Sequence, residues 1–403
     1  MGTLLADVDE IFPGLVADRR WLHEHPELGY EEVETSRFVA DRLAALGAEE
    51  IRTGLAETGV TALIRGTAEG PGKDHVVMLR ADMDALPIEE ENDVAYRSQT
   101  PGVMHACGHD AHVTMLLGAT RLLLERRDEF AGTVKVVFQP CEEGSRKGGP
   151  GGASRLVDAG ILENPHVDEI YGIHLAQFHP AGTVSAVSGP AMASGQFFKV
   201  IVQGRGGHGA APHLAVDPIV AAAEIISSIQ TIVSRNVNPR DTVVVTVGAI
   251  HGGLAANVIP DTVQFEGTIR AFSDTVREEV AQRLKAIAEA VALAHGATVN
   301  VILSGDPLPT VINTPEKAEL VRTAAAKVLG AENVFDGPPW MASEDVSYYL
   351  NERPGAYFFV GSRNEEKGFI YDHHHPKFDL DEEALRVGVA TTVQVVLDAF
   401  AAS

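Results

Sequence analysis

Cysteine is nearly absent from this chain of 403 residues, which has only Cys107 and Cys141. A disulfide framework is therefore excluded, and two isolated thiols in a reducing compartment read as ligand, nucleophile or core filler. Positive charge is also scarce, with 32 Lys and Arg against 56 Asp and Glu and a net charge of -24. Nucleic acid and anionic membranes would repel such a surface, so neither is expected as a partner. No apolar run approaches the ~20 residues that a membrane helix needs. The first 15 residues carry Asp7, Asp9 and Glu10 where a secretory leader is basic, and the expected location is the cytoplasm. Internal repeats and low-complexity tracts are missing as well. What remains, 45% apolar and 22% charged residues, is the composition of an ordinary soluble globular protein. The length exceeds what one core supports, so two or three domains are expected.

Potential metal ligands are concentrated in one stretch, Met104-His-Ala-Cys-Gly-His-Asp-Ala-His112, just ahead of an apolar run at 113–124 that reads as a helix. Thiolate and imidazole together suit zinc and its divalent neighbours. The plain alternative is a buried Cys in a turn with a few surface His. Upstream, His23 and His25 precede a helical pattern in which Val33, Phe38, Val39, Leu43 and Leu46 share a face and Gly47 supplies the stop.

Strands are expected at 60–64, 76–79, 133–138 and 169–175, with helices between them. That alternation predicts a largely parallel sheet covered on both faces, where ligands bind beyond the carboxyl ends of the strands. Asp82, Asp84, Glu142, Glu143 and His174 all fall at such ends. Glu142 and Glu143, leaving a strand one after the other, are expected to point to different sides. One could bind a metal while the other faces a water on it, the division of labour that metal-assisted hydrolysis requires. A solvated acidic loop is the alternative.

The pattern changes near Gly189. A strand at 195–203, a helix at 216–234, strands at 242–250 and 262–271, a helix at 275–295 and a strand at 298–303 spell βαββαβ, a ferredoxin-like unit. It reads as an insertion, after which the first fold resumes near Leu308 with a helix at 315–329, a strand at 356–360 and a terminal helix at 382–401. The insertion has its own polar residues: His208 among glycines, Asn257, and Arg270 at a strand end, which could pair with a substrate carboxylate. A glycine-rich surface turn with an exposed Arg fits the same residues.

Read together, Arg80-Ala-Asp-Met-Asp-Ala-Leu-Pro, the stretch from Met104 to His112, Gln139-Pro-Cys-Glu-Glu-Gly, Gly206-Gly-His, Asn257-Val-Ile-Pro-Asp, Ser343-Glu-Asp and His374-His-Pro-Lys-Phe span nearly the whole chain in order. The sequence resembles the dinuclear-metal N-acyl-amino-acid amidohydrolases: aminoacylases, hippurate hydrolases, indole-acetyl-amino-acid hydrolases and related carboxypeptidases. The resemblance implies an α/β fold, a mostly parallel-sheet catalytic domain of zinc-peptidase type (1–190 and 305–403) with an inserted ferredoxin-like lid and dimerisation domain (191–304). It implies two divalent metal ions (Zn, Mn, Co or Ni) bridged by Cys107, one also held by His109 and His174 and the other by Glu143 and His374. Glu142 then resembles the general base acting on a metal-bound water. His208 resembles an oxyanion donor, supplied in many relatives by the partner subunit, and Asn257 and Arg270 resemble residues that grip the substrate. Asp84 resembles an outer carboxylate orienting a His ligand, with Asp82 and Glu344 as further candidates. His105, His112, His373 and His375 are left as neighbours.

The implied reaction is hydrolysis of the amide bond of a small N-acyl amino acid by a homodimer, with short peptides as alternative substrates for a carboxypeptidase or dipeptidase. A cysteine hydrolase using Cys107 and His109, and a metal-stabilised scaffold without activity, are the readings from other classes. Cys141 departs from the family pattern, in which a small non-thiol residue is more usual, as does the basic loop 145–151.

Overall fold

Runs of β-branched residues form strands, the helical periodicities form helices, and the chain returns at its end to the sheet in which it began. The computed structural model describes residues 3–403; Met1 and Gly2, which open the acidic N-terminal stretch, lie outside the described residues. In chain order the first elements are α1 (Thr3–Glu24), α2 (Val33–Leu46), β1 (Glu49–Leu55), β2 (Gly59–Arg65), β3 (Val76–Asp82), α3 (His109–Glu125), β4 (Thr133–Gln139), α4 (Gly152–Asp158), β5 (Glu169–Pro180), β6 (Val184–Ser185) and β7 (Gly189–Met192). There follow β8 (Ser194–Gln203), β9 (Gly207–His208), α5 (Pro218–Ile229), β10 (Val243–Gly252), β11 (Val258–Ile259), β12 (Thr262–Ala271), α6 (Asp274–Ala294) and β13 (Thr298–Leu308). Last come β14 (Val311–Asn313), α7 (Pro315–Leu329), β15 (Val334–Phe335), α8 (Ser347–Glu352), β16 (Gly355–Arg363) and α9 (Glu383–Ala402). The chain divides into two compact units, one of Met1–Ala191, Ile312–Pro338 and Asp345–Ser403, the other of Met192–Val311 and Pro339–Glu344.

The first unit is built on a sheet of order β1-β2-β4-β3-β5-β16-β6-β15. Its centre is parallel, with β3 between β4 and β5 and β5 beside β16. The edge on the β1 side is antiparallel. Every residue of β3 is buried, as expected where a parallel sheet is covered on both faces. Helices α1, α3, α7 and α9 pack on one another.

Three details differ from the sequence reading. Strand β5 does not stop at Leu175: it runs to Pro180 because β16 stays paired with it as far as Arg363. Its partner β3 pairs only up to Arg80 opposite Gly172, so His174 lies in mid-strand on a segment that outruns β3. Val33 is 62% exposed, since one helical face holds buried Thr35, Val39 and Leu43 and Val33 lies on the other side of the helix. Helix α9 is long and apolar enough, by length and composition, to cross a membrane, contrary to the reading that no such run exists. It nevertheless has 72% of its apolar window buried, packed against α1, α3, α7 and β16 as a core helix.

The second unit has an antiparallel sheet of order β10-β12-β8-β13 with α5 and α6, the ferredoxin-like arrangement. Burial alternates along β8, and its inward residues Phe198, Val200 and Val202 share a core with Ala221, Ile225 and Ile229 of α5 and Leu284 of α6. Asp217 caps α5 by accepting the amides of Ile219 and Val220. The expected single helix to residue 234 breaks after Ile229, where the Thr231 hydroxyl bonds the Ser228 carbonyl at 2.6 Å and a wider turn, Ile232–Asn236, follows. Strand β13 also runs past 303 to Leu308, across a register shift.

Candidate metal centre

The carboxyl ends of β3 and β4, the start of α3, the overhanging part of β5 and the loop after β16 each supply side chains to one place in the first unit. Cys107 and His109 flank Gly108, whose φ of +90° favours glycine. A Cβ there would meet Leu175 Cδ1 at 2.7 Å, so the turn into α3 presses against β5 near His174. His374 also has positive φ, +67°, and its amide donates to the Ala106 carbonyl at 2.8 Å, which ties the C-terminal loop to the Cys107 segment.

Ligand atoms of Cys107, His109 and His174 lie within 4.8 Å of one another, and so do those of Cys107, Glu143 and His374. The thiol of Cys107 thus belongs to two adjacent sets. Hydrogen bonds to Nδ1 set which nitrogen of each imidazole faces the Cys107 thiol. His109 donates through Nδ1 to the Asp84 carbonyl at 2.8 Å and His174 through Nδ1 to the Leu175 carbonyl at 2.6 Å, leaving both Nε2 atoms inward. His174 Nε2 is 3.6 Å from Cys107 Sγ, and His374 Nε2 is 3.1 Å from Glu143 Oε1. Such outer hydrogen bonds set the tautomer of a metal-binding His.

Two divalent cations fit these residues. His109 Nε2 is buried without a hydrogen-bond partner, a state that native interiors avoid unless something fills it. The first set is closed from solvent, whereas the His374 side chain is 53% exposed, so the second set faces outward. The electrostatics also invite positive charge. Burial and the charges of Glu143, Glu142 and Asp82 push the Cys107 thiol well up, while His109, despite burial, is lifted to about 10 by Asp82 and Asp84. Burial and the neighbouring His112 and His373 keep His174 neutral and ready to coordinate. A cation would displace protons from Cys107 and His109.

Glu142 and Glu143 do not diverge as expected of residues leaving a strand. β4 ends at Gln139, and Cys141, at φ +53°, turns the chain, so both carboxylates come within 4.8 Å of each other and of a His109 nitrogen. The Asp84 carboxylate accepts the Glu142 amide at 3.0 Å and the Glu143 amide at 2.9 Å. The same carboxylate also lies 3.4 Å from His109 Nδ1, which donates to the Asp84 carbonyl, so Asp84 touches this His through both its side chain and its backbone.

The remaining residues of the dense stretch are held by other partners. His112 accepts the Leu175 amide on Nε2 at 2.9 Å and donates through Nδ1 to Asp82 at 2.6 Å, so neither nitrogen is free for a metal. Asp82 is held ionised, against burial, by His109, Arg80 and His112. Asp110 pairs with Arg19 at 2.9 Å and His23 at 2.8 Å. His105 is buried and neutral, its pKa pushed down to about 3 by burial. His373 Nε2 accepts the Gln177 amide at 3.3 Å, and His375 Nδ1 accepts the Lys377 amide at 2.9 Å. The Arg80 side chain, which the sequence reading left without a role, bonds Gln139 and Asp345 at 2.9 Å each. It thereby links the ends of β3 and β4, a connection carried only by long-range pairs.

His208, Asn257 and Arg270 belong to the second unit. Exposed His208 accepts the Ala210 amide on Nδ1 at 3.0 Å, which leaves Nε2–H to donate. Its strand β9 pairs with β11, and the Asn257 carbonyl accepts the Gly209 amide at 2.8 Å. Arg270 donates to Ser343 Oγ at 2.5 Å and, among the described residues, has no carboxylate within ion-pair distance. Burial lowers its pKa.

Adjacent ligand sets sharing a thiol, with the Glu142 carboxylate beside them, define a metal-binding hydrolase. Residues 78–398 match the model of Peptidase family M20/M25/M40, and the chain belongs to that family. It is 42% identical over 383 residues to thermostable carboxypeptidase 1 of Saccharolobus solfataricus, covering 95% of this chain and 94% of that protein. It is also 42% identical over 389 residues to IAA-amino acid hydrolase ILR1-like 4 of Arabidopsis thaliana, covering 96% and 86%. A solved dinuclear metal binding peptidase of the M20 family from Bacillus subtilis matches with a TM-score of 0.82 and 33% identity over 98% of this chain and 99% of that one.

Proposed function

We propose that this hydrolase cleaves the amide bond of N-acyl amino acids to a carboxylic acid and a free amino acid. Two divalent ions would be held by Cys107, His109 and His174 and by Cys107, Glu143 and His374. The observation that carries the reading is the one thiol common to two ligand sets with Glu142 beside them. Bound ions would supply Lewis acidity and bring the pKa of a water toward neutrality. Glu142 takes the proton of the attacking water and returns it to the departing amine nitrogen, two transfers that one well-placed carboxylate can perform. His208 donates from Nε2 to the developing oxyanion, a contribution of about 3–4 kcal/mol for one good donor; its Nδ1, already occupied by Ala210, supports that tautomer. Arg270, half-buried and, among the described residues, without a carboxylate partner, pairs with the substrate carboxylate, and Asn257 helps to grip the same substrate.

The second unit serves as the lid and as a dimerisation surface. Exposed Ile219 and Val220 on α5 and Val244 and Ile250 on the edge strand β10 support that role. Zinc, manganese, cobalt and nickel all suit a mixed thiolate, imidazole and carboxylate set, and the cytoplasm is the proposed location. A second reading, removal of C-terminal residues from short peptides, is favoured by the relative named a carboxypeptidase, which is as similar as the one named an amino acid hydrolase. Assaying N-acetyl and N-benzoyl amino acids beside dipeptides decides between them. The proposal expects higher kcat/KM on the acyl amino acids; faster turnover of dipeptides would favour the peptidase.

A further inference from the structure

Glu32 plays no part in the mechanism above, yet it is a fully buried carboxylate against the turn that carries Glu142 and Glu143. Glu32 Oε1 accepts the Cys141 amide at 2.8 Å, and Oε2 accepts the Thr58 hydroxyl at 2.6 Å. The next two amides, of Glu142 and Glu143, donate to Asp84. Three consecutive N–H groups are therefore held by two buried carboxylates. Successive amides converging on an anion form a nest. Here the anions are the protein's own, and the residues that form the nest carry the reactive side chains.

Two further observations tie Glu32 to this turn. Cys141 at φ +53° holds a conformation that is costly for a side-chain-bearing residue and persists only when its surroundings enforce it. Gly29, three residues before Glu32, lies so close that a Cβ would meet the Gly144 carbonyl at 2.6 Å and Cys141 Sγ at 2.8 Å. The 29–32 segment and the 141–144 turn are fitted to each other at both ends.

We infer that Glu32 is a positioning residue of the hydrolytic centre: by holding the Cys141 amide it fixes the turn that aims the Glu142 and Glu143 carboxylates. The inference rests on the roles proposed for those two residues. A shifted turn would first disturb the ion that Glu143 and His374 would hold, because Cys107, His109 and His174 lie on other segments. Burial and the Asp84 charge push the Glu32 carboxyl up, to about 7.

Two variants of the metal-loaded enzyme separate geometry from charge. Glu32→Gln keeps the length and the acceptor, and Glu32→Asp keeps the charge but withdraws the acceptor by one methylene. For E32Q the expected result is kcat within about threefold of the parent, with both ions retained; for E32D it is kcat down about 10²-fold, the scale of a 1 Å misplacement, with KM little changed. After dialysis E32D should also keep only one of its two ions, while both variants melt close to the parent. Any other ranking overturns the inference: E32D active and E32Q inactive, the two alike, or E32D losing both ions together. Glu142→Gln run alongside separates the two failures, because an active E142Q overturns the centre itself and not merely the part played by Glu32.

Discussion

Asp84 uses its oxygens for two purposes, and a single residue thereby connects both ligand sets. Its carbonyl fixes the His109 tautomer and its carboxylate holds the amides of Glu142 and Glu143. Asp84→Asn leaves one acceptor for two amides. Metal affinity is expected to fall about 10–100-fold, as for other outer partners of a metal site, in competition with a chromophoric chelator; unchanged affinity would remove Asp84 from the account. For Glu142→Gln the expected loss in kcat is about 10²–10⁴-fold, the usual worth of a general base, with metal content unchanged by elemental analysis. Residues of this kind were only partly legible in the sequence. Cys107 and His109 stood out by density and type. Nothing in the motif separates His109 from His112, because the difference is the Leu175 amide that occupies His112 Nε2 from 63 residues away. Glu32 was invisible for a related reason: an acidic pair ahead of a helix reads as solvated, and its partner, the Cys141 amide, lies 109 positions on.

Among the elements, those defined by local signals were readable and those defined by pairing were not. Asp217 and Pro218 announce α5, and the alternation along β8 announces a sheet with one buried face. The extra length of β5, which puts His174 in mid-strand, depends on β16 nearly two hundred residues later. β4 offers a test that is independent of the metals. Lys135 is buried, donates to the carbonyls of Ile161 and Asn164, and has its pKa pushed down to about 8 by burial and by Arg52. An unfolded Lys titrates near 10.4, so between about pH 8 and 10.4 the unfolded chain binds more protons and stability rises with pH. Urea unfolding at several pH values should show that rise in the parent and a flatter curve in Lys135→Met; parallel curves would mean that Lys135 is not neutral when folded.

For the molecule as a whole, the βαββαβ order was legible because each of its elements has a strong local period, and chain order alone implied an insertion. Association is another matter, since exposed apolar side chains are common on monomers. If β10 and α5 form the proposed dimer surface, Ile250→Glu should give a monomer by sedimentation with its melting temperature retained; an unchanged molecular mass would exclude that edge. The central claim is that hydrolysis depends on two cations sharing Cys107. It is tested most directly by stripping the protein with a chelator, adding a divalent metal in steps, and reading N-acyl amino acid turnover and bound metal at each step. No turnover without metal and full turnover at two ions per chain are expected. Full turnover by the metal-free protein would contradict the claim.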